Sequence, residues 1–377
     1  MKILFTVEFY EPNKGGAQEV VKQLAERLVK RGHEVTVATT FLSDRTFGAL
    51  NGVRIEQFKL SGNSVRGIAG SDEEVQRYQE FLKGDFDIIA NYAAQIWTTD
   101  LVLPVLGAIT AKKILIPCGY SGLNNPAYAD YFKELPDHLE KYDSLVYLSC
   151  CYQDKLFGDG HGFADKGIVI PNAAAEEEFL TPDTFTIRKR LGIDTKYILL
   201  DVSTHYRDKG HGFVIDAFLQ MHRDDATLLI VGEHPGATLF GKAKQLVRGC
   251  YKNCLLQSKL HGNIRLVGGK NRDLVVSAYK NADLFLFGSK VECAPLVLYE
   301  AFASKTPFIS TAAGNIGDYS DIVRIVTTPK EMAEAANALL DNEPERSALA
   351  EKGFALWKEQ YTWDIIVDQY ERLFKNI

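Results

Sequence analysis

The sequence predicts an α/β protein built from two doubly wound domains. Short apolar runs typical of buried parallel strands alternate with stretches of helical apolar spacing along the 377 residues. That length is too great for one ordinary core and suits two domains. A glycine turn also follows the first predicted strand, where a βαβ unit has its first crossover.

The first half begins with this βαβ unit. Residues 2–7 and 34–40 predict two strands, and the helix between them has an apolar stripe formed by Val20, Val21, Leu24, Ala25 and Leu28. Gly15 and Gly16 open the helix, where glycine lets backbone amides approach a phosphate closely. A plain tight turn would have the same sequence. The turn lacks a G-x-G-x-x-G pattern, so a dehydrogenase is only the weak alternative.

The remaining elements continue the alternation. Further strands of the first half are predicted at residues 53–58, 87–90, 113–116, 144–148 and 168–170. Strands of the second half are predicted at residues 197–202, 227–231, 263–267, 283–287 and 306–310. Residues 273–279 predict a helix, and Trp363, Ile366, Val367, Tyr370, Leu373 and Phe374 share one face of a helix over 363–374.

Two loops of the first half follow strands and carry polar or aromatic residues. One contains Asn91 and Tyr92, and the other contains Cys118, Gly119 and Tyr120. Such residues are typical of sugar sites, although a half-buried loop would look the same. Residues 85–87 spell Asp-Phe-Asp, which fits the Asp-x-Asp of metal-dependent sugar transferases. They precede a strand and therefore lie away from the ligand side of a parallel sheet.

The stretch from Gly288 to Ala301 follows the strand at 283–287 and leads into a helix whose first residue is predicted to be Pro295. The N–H groups of Leu296 and Val297 would point out of the helix start and form an anion site. Glu292 in the loop and Glu300 in the helix could accept hydrogen bonds from sugar or ribose hydroxyls. Two surface glutamates at a helix start would give the same spacing.

This stretch resembles the Glu-x7-Glu motif of the family 4 retaining glycosyltransferases, which have the GT-B fold. The matching residues are Ser289, Glu292, Leu296, Glu300, Ala301, Ala303 and Pro307. The family's Gly-Phe-Gly is replaced by Cys293, Ala294 and Pro295, and its late Gly by Lys305. Further resemblances are the glycine pair at 15–16, the Arg-Gly-His-Glu-Val segment at 31–35, residues 171–173 at the domain junction, and Lys209-Gly210.

Two further positions depart from the family pattern. Thr204 occupies the Arg position of the family's Gly-Arg-x-x-x-x-Lys-Gly turn, and Arg207 is the residue that could compensate. Cys118 stands where the family has a His that touches the donor sugar, and a thiol cannot act as a charged donor in its place.

The resemblance implies two Rossmann-like domains that face each other across a cleft. It implies an acceptor domain over residues 1–178, a donor domain over 179–358, and a C-terminal helix over 359–377 that crosses back. The implied reaction is transfer of a sugar, with retention, from a UDP- or GDP-linked donor to a hydroxyl acceptor that is an oligosaccharide, lipid-linked or a small molecule. No cofactor and no metal are implied.

The resemblance also implies roles for single residues. Glu292, Lys209 and Arg207 would act at the reacting centre. The donor would be bound by Gly15, Gly16, Thr204, Gly232, Gly269, Cys293, Ala294, Pro295, Leu296, Val297 and Glu300. The acceptor and sugar side would be formed by Asn91, Tyr92, Cys118, Gly119 and Tyr120.

Composition restricts the partners. The net charge is −6, and residues 1–180 carry 18 Lys and Arg against 25 Asp and Glu. This acidic half argues against nucleic acid and allows at most peripheral membrane association. The apolar run at 101–109 is broken by Pro104, and the first segment is too short for a signal peptide. The expected location is the cytoplasm.

The six cysteines show no framework spacing. Cys250 and Cys254 lie in a helical pattern without a second ligand pair. Zinc and disulfides are therefore not expected.

Two further activities fit the same sequence. One is a nucleotide-sugar epimerase of the same fold, which needs no acceptor. The other is a non-catalytic nucleotide-sugar-binding protein, which the replacements at Cys118 and Thr204 would allow.

Overall fold

A computed structural model of the chain describes residues 1–233, 250–269 and 271–377. The chain divides into two compact units, one formed by Met1–Asn172 with Trp363–Ile377 and the other by Ala173–Thr362. The boundaries thus lie at 172/173 and 362/363, not at the expected 178/179 and 358/359. The shift arises because residues 173–175 pair with the end of the second unit. Ala174 forms a parallel bridge with Thr362 and donates its N–H to Tyr361 O.

The first unit contains an eight-stranded sheet in the order β10-β9-β8-β7-β1-β2-β4-β3, in which only the β3–β4 pair is antiparallel. Its strands are β1 (Lys2–Thr6), β2 (Glu34–Thr40), β3 (Ala49–Leu50), β4 (Val53–Phe58), β7 (Ile88–Tyr92), β8 (Lys112–Ile116), β9 (Ser144–Tyr147) and β10 (Gly167–Val169). A separate hairpin pairs β5 (Ser61–Asn63) with β6 (Gly67–Ala69). The central strands are buried because helices cover both faces of a doubly wound sheet.

The first unit has five α-helices between its strands and also contains the last helix of the chain, among the described residues. They are α1 (Gly16–Lys30), α2 (Asp72–Phe81), α3 (Trp97–Asp100), α4 (Ala129–Leu139), α5 (Gln153–Gly160) and α14 (Trp363–Asn376). The apolar stripe predicted for the first helix is buried in α1, whose Val20, Val21, Leu24, Ala25 and Leu28 are at most 2% exposed.

Helix α14 packs beside α1, although more than 330 residues separate them in the chain. Arg31, just after α1, forms an ion pair with Asp368 and another with Glu371 at 2.7 Å. His33 Nε2 lies 2.7 Å from Glu371 Oε1. The Arg-Gly-His-Glu-Val segment therefore anchors the last helix, whose buried face includes Trp363 and Tyr370.

The second unit contains a six-stranded, fully parallel sheet in the order β13-β12-β11-β14-β15-β16. Its strands are β11 (Tyr197–Val202), β12 (Ala226–Val231), β13 (Ile264–Val267), β14 (Leu284–Phe287), β15 (Phe308–Ser310) and β16 (Arg324–Ile325). Its helices are α6 (Glu176–Phe179), α7 (Ile187–Leu191), α8 (His211–Gln220), α9 (Cys250–Leu260), α10 (Arg272–Asn281), α11 (Leu296–Ala303), α12 (Pro329–Asp341) and α13 (Glu343–Gln360).

Each sheet has one point where the strand order changes direction. In the first unit it lies between β1 and β7, and in the second between β11 and β14. Ligands of open α/β sheets bind at the carboxyl ends of the strands at such points. The loops that follow these strands are therefore the places to look for a site.

Candidate active site

Two loops meet at the switch point of the second unit, one after β11 and one after β14. Gly210 has φ +71°, and a Cβ built on it would lie 1.8 Å from Gly288 O. Only glycine lets the two backbones come this close. Lys290 N–H donates to Asp208 O at 2.8 Å, so the two loops are also joined by a hydrogen bond.

The approach of the loops brings Lys209 and Glu292 together. Lys209 Nζ lies 2.7 Å from Glu292 Oε1, and Ser289 Oγ donates to the same oxygen at 2.6 Å. The Glu292 side chain is 10% exposed and that of Lys209 is 31% exposed. The structure thus places a lysine, a carboxylate and a hydroxyl at the carboxyl edge of β11 and β14.

The second carboxylate of the motif, Glu300, is buried in α11 and has a partner that the sequence did not suggest. Arg272, the first residue of α10, lies 2.6 Å from Glu300 Oε1 and 2.5 Å from Glu178 Oε2. Burial lowers the pKa of Arg272, but the carboxylates of Glu300 and Glu178 outweigh it and raise that pKa well above its usual value. The buried carboxylate of Glu300 is therefore held by a half-buried arginine that also pairs with Glu178.

Helix α11 begins one residue later than predicted. Pro295 has ψ 127° and is the N-cap residue, so Leu296 is the first helical residue. As the N-cap residue, Pro295 has no side-chain acceptor, so it leaves the amides of the first turn of α11 for other acceptors. The preceding residues are fixed from the next loop, because Asn315 N–H donates to Cys293 O at 2.8 Å. Ala294 is buried beside them.

The other predicted donor residues of the second unit surround these loops. Arg207 is exposed in a 3-10 turn with Lys209, and it has no ion-pair partner among the residues that the structure describes. Thr204 is half-buried in the same loop. A Cβ on Gly232 would lie 2.0 Å from Ser203 O, so this glycine is required by packing against the β11–α8 loop. Gly269 has no such constraint.

In the first unit, Gly15 and Gly16 lie where the sequence predicts them. Gly15 is the N-cap of α1, Gly16 is its first residue, and both are exposed. As the N-cap residue, Gly15 has no side chain that could cap the helix. The glycine pair thus exposes a helix start at the switch point of the first sheet.

Asn91 and Tyr92 are not loop residues, contrary to the prediction. Both belong to β7, and Asn91 is completely buried. Its amide donates to Thr6 Oγ1 at 2.9 Å, and its carbonyl oxygen accepts from Tyr142 OH at 2.9 Å. Tyr92 is 2% exposed. Asn91 is therefore held by core partners, and its buried side chain is not exposed to an acceptor.

Cys118, Gly119 and Tyr120 form a turn in which every φ is positive, at 57°, 98° and 47°. Asp154 holds the turn by accepting from Gly119 N–H at 2.8 Å. Burial raises the pKa of the Cys118 thiol to about 12, so it stays protonated. The Tyr120 side chain is buried beside Phe132, so it lines the core and not an open sugar site. Positive φ angles in non-glycine residues, as in Cys118 and Tyr120, are found at functional loops.

The expectation for the cysteines was wrong in one respect. Cys250 and Cys254 do have a second ligand pair, which consists of His205 and His211. The four side chains meet although the pairs are about forty positions apart in the sequence. No local spacing signals this cluster, because it depends on α9 packing beside the β11–α8 loop.

Two family models match the chain. "Glycosyltransferase Family 4" matches residues 14–108, and "Glycosyl transferases group 1" matches residues 183–355. They cover about half of the first unit and most of the second, and both name the activity that the Glu-x7-Glu resemblance implies. The chain belongs to the family 4 glycosyltransferases. The predicted family and enzyme class are therefore confirmed.

Similar curated proteins match this glycosyltransferase over nearly its whole length. One is a probable sucrose-phosphate synthase of Thermosipho melanesiensis, 25% identical over 97% of this chain and 92% of the relative. Another is the N-acetyl-alpha-D-glucosaminyl L-malate synthase of Bacillus anthracis, 24% identical over 100% of this chain and 98% of the relative.

Similar solved structures support the fold. Anabaena HepE in complex with UDP and glucose superposes with a TM-score of 0.79 at 17% identity, over all of both chains. Sucrose-phosphate synthase from Thermosynechococcus elongatus has a TM-score of 0.79 at 16% identity, over 99% of this chain and 98% of the other. The predicted GT-B fold with two Rossmann-like domains is confirmed. Within the described residues, no helix has the length and apolarity needed to cross a membrane.

Proposed function

We propose that this glycosyltransferase moves a sugar from a UDP- or GDP-linked donor to a hydroxyl acceptor, with retention at the anomeric carbon and without a metal at the reacting centre. The observation that carries the proposal is the pairing of Lys209 with Glu292 at 2.7 Å, at the switch point of the second sheet. The uncapped start of α11 follows the Glu292 loop.

The diphosphate would take its contacts from cations and helix amides. Lys209 supplies a positive charge, and the exposed Arg207 lies on the same 3-10 turn. The N–H groups of Leu296 and Val297 at the start of α11 add a helix dipole directed at an anion. These groups neutralise the charge that develops on the leaving diphosphate, which removes the need for a divalent metal.

Glu292 has two roles in this proposal. In the structure it neutralises Lys209 and accepts from Ser289. When a donor binds, the diphosphate competes for Lys209, which leaves a carboxylate oxygen to accept hydrogen bonds from sugar hydroxyls. Glu300, held by Arg272, would accept from the ribose hydroxyls.

The proposed reaction exchanges one bond to the anomeric carbon for another. The bond from that carbon to the diphosphate oxygen breaks, and its electron pair leaves with the nucleoside diphosphate. The acceptor oxygen forms the new bond on the same face, and its proton passes to a diphosphate oxygen. No residue has to form a covalent bond with the sugar.

The names of two relatives support a small acceptor. They refer to sucrose phosphate and to N-acetylglucosaminyl malate, which are both small-molecule glycosides. The net negative charge of residues 1–180 fits a soluble or neutral acceptor better than an anionic lipid surface. UDP is the first nucleotide to test, because a neighbouring structure is described with UDP and glucose.

The test begins with thermal unfolding of the full chain in the presence of UDP, GDP, ADP or CDP. A ligand at about a hundred times its dissociation constant stabilises the folded state by roughly 2.7 kcal/mol. The matching nucleotide sugars are then incubated with an acceptor panel, with no Mg²⁺ or Mn²⁺ added, and the product anomer is determined by NMR. Conversion of the donor into its epimer without acceptor would identify an epimerase instead.

Variants connect the activity to the site. We expect Lys209→Ala to lose the nucleotide-induced shift, and Glu292→Gln to keep it but lose transfer by at least about a hundredfold. Lys290→Ala is the matched control, because Lys290 is an exposed lysine in the same loop as Glu292. Full transfer in both site variants would overturn the proposal, as would a product of inverted configuration.

A further inference from the structure

Four side chains that bind soft metals converge beside β11. His205, His211, Cys250 and Cys254 each offer one ligand atom, and these atoms all lie within 4.8 Å of one another. His205, His211 and Cys254 are 0% exposed, and Cys250 is half-buried. Two cysteines and two histidines form one of the ligand sets of closed, tetrahedral zinc sites.

The secondary structure fixes the positions of these side chains. His205 lies in the loop after β11, and His211 is the first residue of α8. Cys250 and Cys254 are four residues apart on α9, so their thiols lie on one helix face. The imidazole rings stack with centroids 4.4 Å apart, and Cys250 Sγ lies 3.2 Å from His211 Nδ1.

His205 has buried polar atoms that need a partner. Neither of its ring nitrogens has a hydrogen-bond partner among the residues that the structure describes. Leaving such a buried nitrogen unsatisfied is unfavourable, because the nitrogen has lost its hydrogen bonds to water. Gly232 makes room for this ring, because a Cβ there would lie 3.3 Å from His205 Nε2. A coordinated cation would satisfy one of the two nitrogens.

The surroundings of His211 match those of a metal ligand. Its Nε2 lies 3.0 Å from Ser203 Oγ, and that hydroxyl donates to Asp201 Oδ1 at 3.1 Å. If Nε2 carries the proton, it donates to Ser203 and leaves Nδ1, the nitrogen nearest Cys250, with a free lone pair. Metal-binding histidines are usually oriented in this way through their second nitrogen.

We propose that His205, His211, Cys250 and Cys254 bind one zinc ion as a structural site of the second unit. Four protein ligands leave no open position for water or substrate, so the ion would take no part in sugar transfer. Its effect would be mechanical, because Lys209 lies between the two histidines in the chain. The ion would link the loop that carries Lys209 to helix α9.

The first experiment measures metal on the full-length protein, purified with a thiol reductant. The metal is removed with a chelator, and Zn²⁺ or Co²⁺ is then titrated back. We expect one equivalent of Zn²⁺ per chain. We also expect the Co²⁺ form to show the strong visible absorption of a tetrahedral site, with thiolate-to-metal charge-transfer bands.

The variants separate a site from surface binding. Cys254→Ser and His205→Gln should each reduce stoichiometric binding at least tenfold and abolish the Co²⁺ spectrum. Cys151→Ser and His222→Gln change an exposed cysteine and an exposed histidine outside the cluster, and they should bind as the wild type does. Circular dichroism of the metal-free proteins shows which variants remain folded.

Three results would overturn the zinc site. One is binding below a tenth of an equivalent in folded, fully reduced protein. Another is a Co²⁺ spectrum unchanged in both cluster variants. The third is a disulfide between Cys250 and Cys254 that survives the reductant, seen in a thiol count on denatured protein. None of these measurements uses sugar transfer, so they are independent of the proposed reaction.

Discussion

Replacing Gly210 by alanine should separate the two loops that bring Lys209 and Glu292 together. A Cβ at Gly210 would lie 1.8 Å from Gly288 O, whereas real Cβ atoms essentially never approach closer than 3.0 Å. The loops must therefore move apart by at least about 1.2 Å. The Lys209–Glu292 distance of 2.7 Å would then grow to nearly 4 Å. A misplacement of about 1 Å near a reacting centre reduces rates by roughly a hundredfold.

Gly192→Ala is the matched control for this prediction. Gly192 also has a left-handed backbone, with φ +59°, but no atom of the described residues lies within 4 Å of the position of its Cβ. Both variants should lose about 1–2 kcal/mol of stability from backbone strain. Only Gly210→Ala should also lose sugar transfer, measured as kcat/KM, and the thermal shift with the nucleoside diphosphate. Equal kcat/KM values in Gly210→Ala and Gly192→Ala would refute the explanation that Gly210 is needed because the two loops approach each other closely there.

Three further variants test other parts of the structure. Arg272→Met should lower the free energy of unfolding by about 2 kcal/mol, because it leaves the buried carboxylate of Glu300 without its cation. Asn91→Leu should lower it by about 1–3 kcal/mol by removing two buried hydrogen bonds, while the acceptor KM stays unchanged. Hydrogen bonds with His33 and Arg31 lower the pKa of Glu371 below its ordinary value, although partial burial opposes them. This stabilisation is present above the unfolded pKa and is lost as the pH falls through the folded pKa, so Glu371→Gln should flatten the acid limb of the stability curve.

Urea unfolding monitors all three variants, and each has a result that would contradict it. Arg324→Met is the control for Arg272, since its ion pair with Glu345 is about 40% exposed and should contribute less than about 1 kcal/mol. If Arg272→Met and Arg324→Met lowered the free energy of unfolding equally, the contact of Arg272 with the buried Glu300 would not explain the loss. A raised KM for the acceptor in Asn91→Leu would show that Asn91 contributes to acceptor binding. A difference between wild type and Glu371→Gln that stays constant from about pH 6 to pH 3 would rule out the proposed titration.

The buried parallel strands were the easiest elements to predict. The strands at 34–40, 53–58 and 197–202 have the predicted bounds. The strand at 197–202 gives the clearest signal, because helices on both faces of a parallel sheet impose a nearly continuous apolar run. The hairpin of β5 and β6 was missed, since its strands of three residues contain too few side chains to show an alternation. Asn91 was wrongly predicted to lie in a loop. Strand β7 continues through this polar residue, because its side-chain amide is hydrogen-bonded within the core.

The active-site residues were predictable where sheet topology brings them together. Lys209 and Glu292 both follow strands at the carboxyl edge, so their meeting follows from the two strands being neighbours. Arg272 was not predictable, because its contact with Glu300 depends on how α10 packs against α11. The same holds for the histidines and cysteines of the proposed zinc site. Sequence spacing indicates contacts along an element, but not contacts made by separate elements.

The pairing of α1 with α14 has a consequence for the order in which the chain folds during synthesis. A ribosome completes α1 early but makes α14 only after all of residues 173–362. Until then, Arg31 and His33 lack their acidic partners, and the surface that α14 covers remains open. The first unit is therefore translated first but completes its packing last, because it needs α14. The second unit folds while the first unit still lacks that helix.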